Sequence, residues 1–262
     1  MIEFLCRRPY ASDTRSGETL IVTVHQPHYM PWLGYLHRMA RADLFIVLDH
    51  VQFERGNYQN RTMIRVNGEP RWLTVPVVQR SQKERIAEKQ IDNALAGTPR
   101  WWSSAHFQTI RHAYREAPFG ARYLPELRRI LETRWERVVE LDAAMLDFLR
   151  GAYGVTTKVL RSSELNVAGA KSELILNLCR AVGADTLLAG LGGSRAYLDK
   201  AEFERQGVRI VYQEFSHPKH AQCGAAPFSP GLSSLDMLLN CGPHSGALLL
   251  GETQAEESRV AA

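Results

Sequence analysis

Apolar and polar stretches divide the chain into an α/β opening, a helical middle and an α/β return. Ile21–His25 is short, apolar and β-branched and breaks at Pro27, which predicts a buried strand ending in a turn. Pro31 suits the first turn of a helix, where a missing N–H does no harm. Trp32, Leu33, Leu36, Met39 and Ala40 then recur on one helical face. Leu44–Leu48 is a second apolar run of strand length. Two buried strands joined by a helix predict a βαβ unit in a parallel sheet.

Thr62–Val66 and Trp72–Val75 flank Asn67-Gly68, a strong turn signal, and predict a β-hairpin. Gln79–Gln90 is polar and charged and reads as a mobile surface loop. Helices are expected over Thr98–Glu116, Ala121–Thr133 and Trp135–Tyr153, with Trp101, Trp102, Phe107, Tyr114 and Trp135 as core. The α/β pattern then returns. Thr157–Leu160 reads as a strand, Ser172–Val182 as an amphipathic helix closed by Gly183, and Thr186–Ala189 as a buried strand running into Gly190–Ser194. Helix Asp199–Gln206, strand Val208–Phe215 and helix Leu232–Asn240 follow. The pattern predicts an α/β fold: a mostly parallel, Rossmann-like sheet with a β-hairpin and a helical insertion at about 97–153. Residues 20–243 read as a single domain, 1–19 as a loosely packed leader and 244–262 as a flexible tail.

Composition narrows the class without naming a ligand. The 262 residues are 45% hydrophobic and 23% charged, ordinary for a globular protein. The net charge of +4 permits an anionic ligand, but the basic residues are spread along the chain, so no nucleic-acid partner is expected. Cys6, Cys179, Cys223 and Cys241 show no CxxC spacing and read as reduced thiols of a cytoplasmic protein. There is no apolar run of roughly 18 residues, hence no expected membrane span. A small-molecule substrate is implied, and a homodimer is compatible with everything above.

Side chains able to do chemistry gather at the predicted strand ends, where open α/β sheets bind ligands. His25 and His28 flank a strand-to-helix turn. They suit phosphate oxygens beside a helix amino terminus, or a metal shared with Asp49 or His50; the bland alternative is one capping and one exposed histidine. Asp49 can hold a ribose hydroxyl, a metal or a proton, or merely cap its turn. Gln52, Asn57, Gln59, Asn60 and Arg61 form an amide-rich set in which Arg61 could clamp a phosphate or carboxylate; an amide-rich loop can equally bond to itself. Gly190, Gly192 and Gly193 follow a strand and could form an anion nest, or only a turn. Lys171 could neutralise phosphate, and Ser172 reads as an N-cap. His217 and His220 read as solvent-exposed, and Asp236 and Asn240 as structural.

The segments HQPHYMPWLGYLHRMARADLFIVLDHVQFERGNYQNR (25–61), RWLTVPV (71–77), RSSELNVAGAKSELILNLCRAVGADTLLAG (161–190), AYLDKAEFERQGVRIVYQEFSHP (196–218) and FSPGLSSLDMLLNCGP (228–243) together resemble the WbqC-like family over about residues 21–243. Members sit among genes for O-antigen and related surface polysaccharides. The resemblance therefore implies a role in making or decorating an activated sugar. The chain has His28, Met30 and His50 where members commonly have Asn, Leu and Asp, and Ala189-Gly190-Leu191-Gly192-Gly193 where they have SGPGG. That moves weight from His28 and His50 toward His25, Gln26, Asp49, Gln52, Asn60 and Arg61. A fainter likeness, to nucleotidylyltransferase and pantothenate-synthetase domains with a HIGH-type turn, concerns fold alone; Trp32-Leu33-Gly34-Tyr35 stands where the second half of that motif belongs.

Three functions follow as expectations. The first is a surface-polysaccharide biosynthesis enzyme acting on an activated or amino sugar, with a nucleotide-dependent amide-forming transferase as its specific form. There ATP with Mg²⁺ would be the cofactor; His25, Asp49 and Arg61 would be catalytic; Gln26, His28, Gln52, Asn60, Lys171, Ser172, Gly190, Gly192 and Gly193 would bind sugar or nucleotide. The second is a metal-dependent hydrolase or lyase built on His25, His28, Asp49 and His50. The third is a non-catalytic assembly partner.

Overall fold

The computed structural model describes residues 19–190 and 192–252. Cys6, Leu191, nearly all of the expected leader and residues 253–262 of the expected tail lie outside the described residues. In chain order the elements are β1 (Ile21–His25), α1 (Leu33–Ala40), β2 (Leu44–Val47), β3 (Arg61–Val66), β4 (Glu69–Thr74), α2 (Trp102–Ala113), α3 (Gly120–Glu132), α4 (Val138–Ala152), β5 (Lys158–Arg161), α5 (Lys171–Ala181), β6 (Thr186–Ala189), α6 (Ser194–Tyr197), α7 (Lys200–Arg205), β7 (Arg209–Tyr212), α8 (Ser234–Cys241) and α9 (Ser245–Leu250). They form two compact units interleaved along the chain. One takes the residues up to His25, then Arg41–Leu48 and Thr157–Glu214; the other takes Gln26–Ala40, Asp49–Thr156 and the chain from Phe215 onward.

The first unit is a five-stranded sheet in the order β5-β2-β1-β6-β7, with every neighbouring pair parallel. The apolar runs make this possible: β2 and β6 are buried at every position, as strands covered on both faces must be. Leu174, Ile175, Leu178 and Cys179 give α5 its buried stripe. Gly183 follows with φ +73°, the left-handed conformation that glycine adopts most readily after a helix. At the amino edge of the sheet two carboxylates tie down β1: Asp43 Oδ2 accepts from Ile21 N at 2.8 Å and Asp185 Oδ2 from Leu20 N at 2.7 Å.

The second unit combines the β3–β4 hairpin with helices α1–α4, α8 and α9. Asn67 and Gly68 both have positive φ, +51° and +85°, as a type I′ turn requires. Strand β4 starts at Glu69, three residues earlier than the apolar pattern indicates, because pairing runs without a break from Val66↔Glu69 to Arg61↔Thr74. The 79–90 stretch, expected to be a mobile surface loop, is anchored. It contains a 3-10 turn at Ile86–Glu88, and Ile86 and Lys89 are fully buried. A single apolar side chain and an ion pair, Lys89 Nζ to Glu84 Oε2 at 2.7 Å, hold it down despite its polar composition. Beyond Pro243, where the tail was expected to pack loosely, α9 buries Ser245 and Leu249. Among the described residues no helix is long and apolar enough to cross a membrane.

Candidate functional site

In the first unit the strand order reverses beside β1: the chain proceeds to β2 and β5 on one side, and to β6 and β7 on the other. A ligand crevice belongs at the carboxyl ends of the strands at such a reversal. The ladders on the two sides of β1 differ in length. Pairing of β1 with β2 continues to His25↔Val47, but pairing of β1 with β6 stops at Val22↔Leu187. Beyond it the Thr23 hydroxyl donates to the Leu188 carbonyl at 2.8 Å, in place of a backbone N–H. The last residues of the five strands are His25, Val47, Arg161, Ala189 and Tyr212. None is acidic, whereas the opposite edge carries Asp43 and Asp185.

Among the sequence-derived candidates, His25, Lys171, Ser172, Gly190, Gly192 and Gly193 belong to this first unit. His25 is half-buried at the end of β1, and its carbonyl accepts from Leu48 N at 2.7 Å. Gly192 and Gly193 are exposed, without left-handed φ, and their carbonyls accept from Arg195 and Ala196 to start α6. They open a short helix and do not form the alternating backbone of an anion nest. Ser172 is not the N-cap of α5. Ala170 occupies that position, and the Ser172 hydroxyl accepts from Asp199 N at 2.8 Å, joining the start of α5 to that of α7. Lys171 is exposed, with φ +51°.

Gln26, His28, Asp49, Gln52, Asn60 and Arg61 belong to the second unit. Gln26 Oε1 accepts from Gln59 Nε2 at 2.8 Å. Asn60 Nδ2 donates to Val75 O at 2.7 Å and Gln52 Nε2 to Gln82 O at 2.6 Å, so both amides fasten backbone. Asp49 is fully buried, and its carbonyl receives Ala87 N. Arg61 lies over the Trp72 ring, 4.0 Å from the centroid, and donates to the Gly56 carbonyl. His28 is buried between Tyr35 and Tyr58, and burial lowers its pKa to about 3. It is therefore a neutral ring, without the charge that pairing it with His25 on a phosphate would use. Burial also lowers His50, opposed by Asp49. Among the described residues no three His, Cys, Asp or Glu side chains gather so as to hold a metal, and the His25, His28, Asp49 and His50 set gains no support.

A network that sequence reasoning missed centres on Asp236, in the first turn of α8. Its Oδ1 accepts from Tyr114 Oη at 3.0 Å; its Oδ2 accepts from Gln222 Nε2 at 2.8 Å and lies 2.8 Å from His220 Nε2. Arg65, also buried, reaches Gln222 Oε1 at 3.0 Å and the Pro227 carbonyl at 3.1 Å. The side chains of His220 and Asp236 are each 2% exposed, so His220 is not the surface residue expected. His217 is half-buried and stacks on it at 6.5 Å. The available signal was the clustering of His217, His220 and Gln222 just before Asp236, without apolar periodicity to mark burial.

The fold defines an α/β protein built on a five-stranded parallel sheet with an antiparallel hairpin and several helices. A profile of the WbqC-like protein family matches residues 26–247, and the chain belongs to that family. The chain is also similar to a protein of Mycobacterium tuberculosis (strain ATCC 25618 / H37Rv) named "Uncharacterized protein Rv1507c": 28% identical over 222 residues, 84% of this chain and 94% of the relative. No solved structure matches the chain.

Proposed function

We propose that this protein is an enzyme of surface-polysaccharide biosynthesis that acts on an activated or amino sugar and takes a nucleotide or nucleotide sugar at the carboxyl edge of the parallel sheet. Membership of the WbqC-like family supports this reading, together with the reversal of strand order between β1 and β6, where parallel sheets of this kind take ligands. An imidazole, His25, closes one of the two strands, and the exposed Gly192 and Gly193 follow the other. No strand of this edge ends on an acid, so the residues present fit a phosphate.

The specific form is amide formation. ATP, when bound, would supply a phosphoryl or adenylyl group that activates a carboxylate, and the sugar amine would then displace the activated oxygen. His25 donates to phosphoryl oxygens as their charge grows. Lys171 offers a mobile countercharge. A Mg²⁺ ion at this edge would be carried chiefly by the phosphates.

Isothermal titration with ATP, ADP, AMP and nucleotide sugars, Mg²⁺ present, tests the proposal. Binding of at least one, weakened about tenfold or more by His25→Ala, is expected. Absence of binding to all of them sinks it.

A further inference from the structure

Four rings in the second unit run continuously from core to surface. His28 lies 5.1 Å from the buried Tyr35 and 5.2 Å from Tyr58, nearly parallel to the latter at 23°. Tyr58 meets Trp72 edge-on at 5.3 Å. Trp72, in β4, is 41% exposed, an uncommon state for so large an apolar side chain. Hairpin register explains its neighbours. Arg61 is directly opposite Thr74 and Met63 directly opposite Trp72, so these four residues share one face, with Arg61 diagonal to Trp72. The Arg61 guanidinium covers one face of the indole at 4.0 Å. With the guanidinium over the ring and Tyr58 edge-on to it, Trp72 still keeps 41% of its surface exposed. Among the described residues no acidic side chain forms an ion pair with Arg61, which donates to the neutral Gly56 carbonyl.

We propose that Trp72 and Arg61 form a subsite for an acidic sugar residue, the pyranose ring lying on the exposed indole and its carboxylate meeting the guanidinium edge. The inference rests on the surface-polysaccharide reading only in taking the ligand to be a glycan; it does not depend on nucleotide binding. A sugar ring presents a face of C–H bonds to the negative face of an aromatic ring and hydroxyls around its rim. Trp72 offers one such face, bordered by a cation, and its neighbours Arg71 and Thr74 are exposed and polar. A protein partner would instead call for a contiguous apolar patch. A guanidinium already stacked on the ring is poised for a carboxylate in a fixed orientation. Tyr58, His28 and Tyr35 root the indole in the core, so little side-chain freedom is lost on binding.

The test is calorimetric titration of galacturonate and glucuronate trisaccharides, and of a neutral galactose trisaccharide, into the full-length protein without nucleotide. At least one uronate trisaccharide should bind. Trp72→Ala should weaken it about tenfold or more, while Trp72→Phe, which keeps a ring face, should stay within about threefold. Arg61→Gln should erase the preference for the acidic over the neutral sugar. Far-UV circular dichroism checks that each variant folds; the exposed position of Trp72 makes Trp72→Ala the safest of them. Failure of both uronates to bind, or equal binding by Trp72→Ala, overturns the proposal. AMP binding that Trp72→Ala abolishes overturns the sugar assignment in favour of a base. A wild-type protein that binds uronate but no nucleotide supports this subsite while refuting the nucleotide reading.

Discussion

Replacing Asp142 by Asn examines how the second unit tolerates an acid with no partner. Asp142 lies in α4 among Leu141, Met145 and Leu146, is 2% exposed, and neither carboxyl oxygen has a hydrogen-bond partner. Burial pushes its carboxyl well above the ordinary value of 3.8. The folded protein therefore holds a proton on Asp142 at pH values where the unfolded chain has released it. Over that window unfolding releases a proton, so stability falls as pH rises. The contribution is fully present below about pH 4 and is lost progressively up to the folded-state pKa, at ~1.4 kcal/mol per pH unit. Asn has nearly the same shape and no such titration. Its buried amide still lacks partners, so the two proteins should be close in stability at pH 4–5. As pH rises above 5 the variant should gain on wild type, at no more than ~1.4 kcal/mol per pH unit. Urea unfolding at half-unit steps from pH 4.5 to 8 reads the difference directly, since every other titrating group is common to both proteins. A difference that stays flat with pH, or moves in favour of wild type, would refute the reasoning.

Other consequences can be checked the same way. Glu84→Gln leaves the buried Lys89 ammonium without its counter-ion, beside only the Phe53 ring, and should lower stability by about 3 kcal/mol, or Tm by roughly 10 °C; Lys89→Met should cost much less. A Cβ at Gly246 would lie 2.5 Å from the Tyr153 carbonyl oxygen, so Gly246→Ala should lose about 1–3 kcal/mol in urea unfolding, while Gly192→Ala, with nothing within 4 Å, should be neutral. His28, held neutral with a pKa of about 3, favours folding above the unfolded value near 6.5 and loses that advantage as pH falls toward 3. His28→Phe should therefore move the acid-unfolding midpoint to lower pH. Asp236→Asn sets an amide against Tyr114, His220 and Gln222; it should cost about 2–4 kcal/mol and speed limited proteolysis within 217–229.

Sequence alone determined the elements that rest on local periodicity. Ile21–His25 and Thr186–Ala189 were legible as strands because branched apolar runs of that length have few other stable states, and Asn67-Gly68 was legible as a turn because both residues tolerate positive φ. The parallel sheet followed from strands separated by helices, and the family from ordered motifs along most of the chain. Tertiary structure decided the rest. The order β5-β2-β1-β6-β7 and the lapse of pairing after Val22 depend on which distant strands meet, and the Thr23 hydroxyl reveals its role only once Leu188 lies beside it. Asp236 is separated from Tyr114 by 122 positions and from His220 by 16, so no local pattern links them. Polar composition made 79–90 read as a loose loop, yet Glu84 satisfies Lys89 in the interior. The same limit applied to Arg61. Its charge was evident in the sequence, but only hairpin register sets it diagonally across from Trp72, because side-chain proximity across a sheet is fixed by pairing and not by position along the chain.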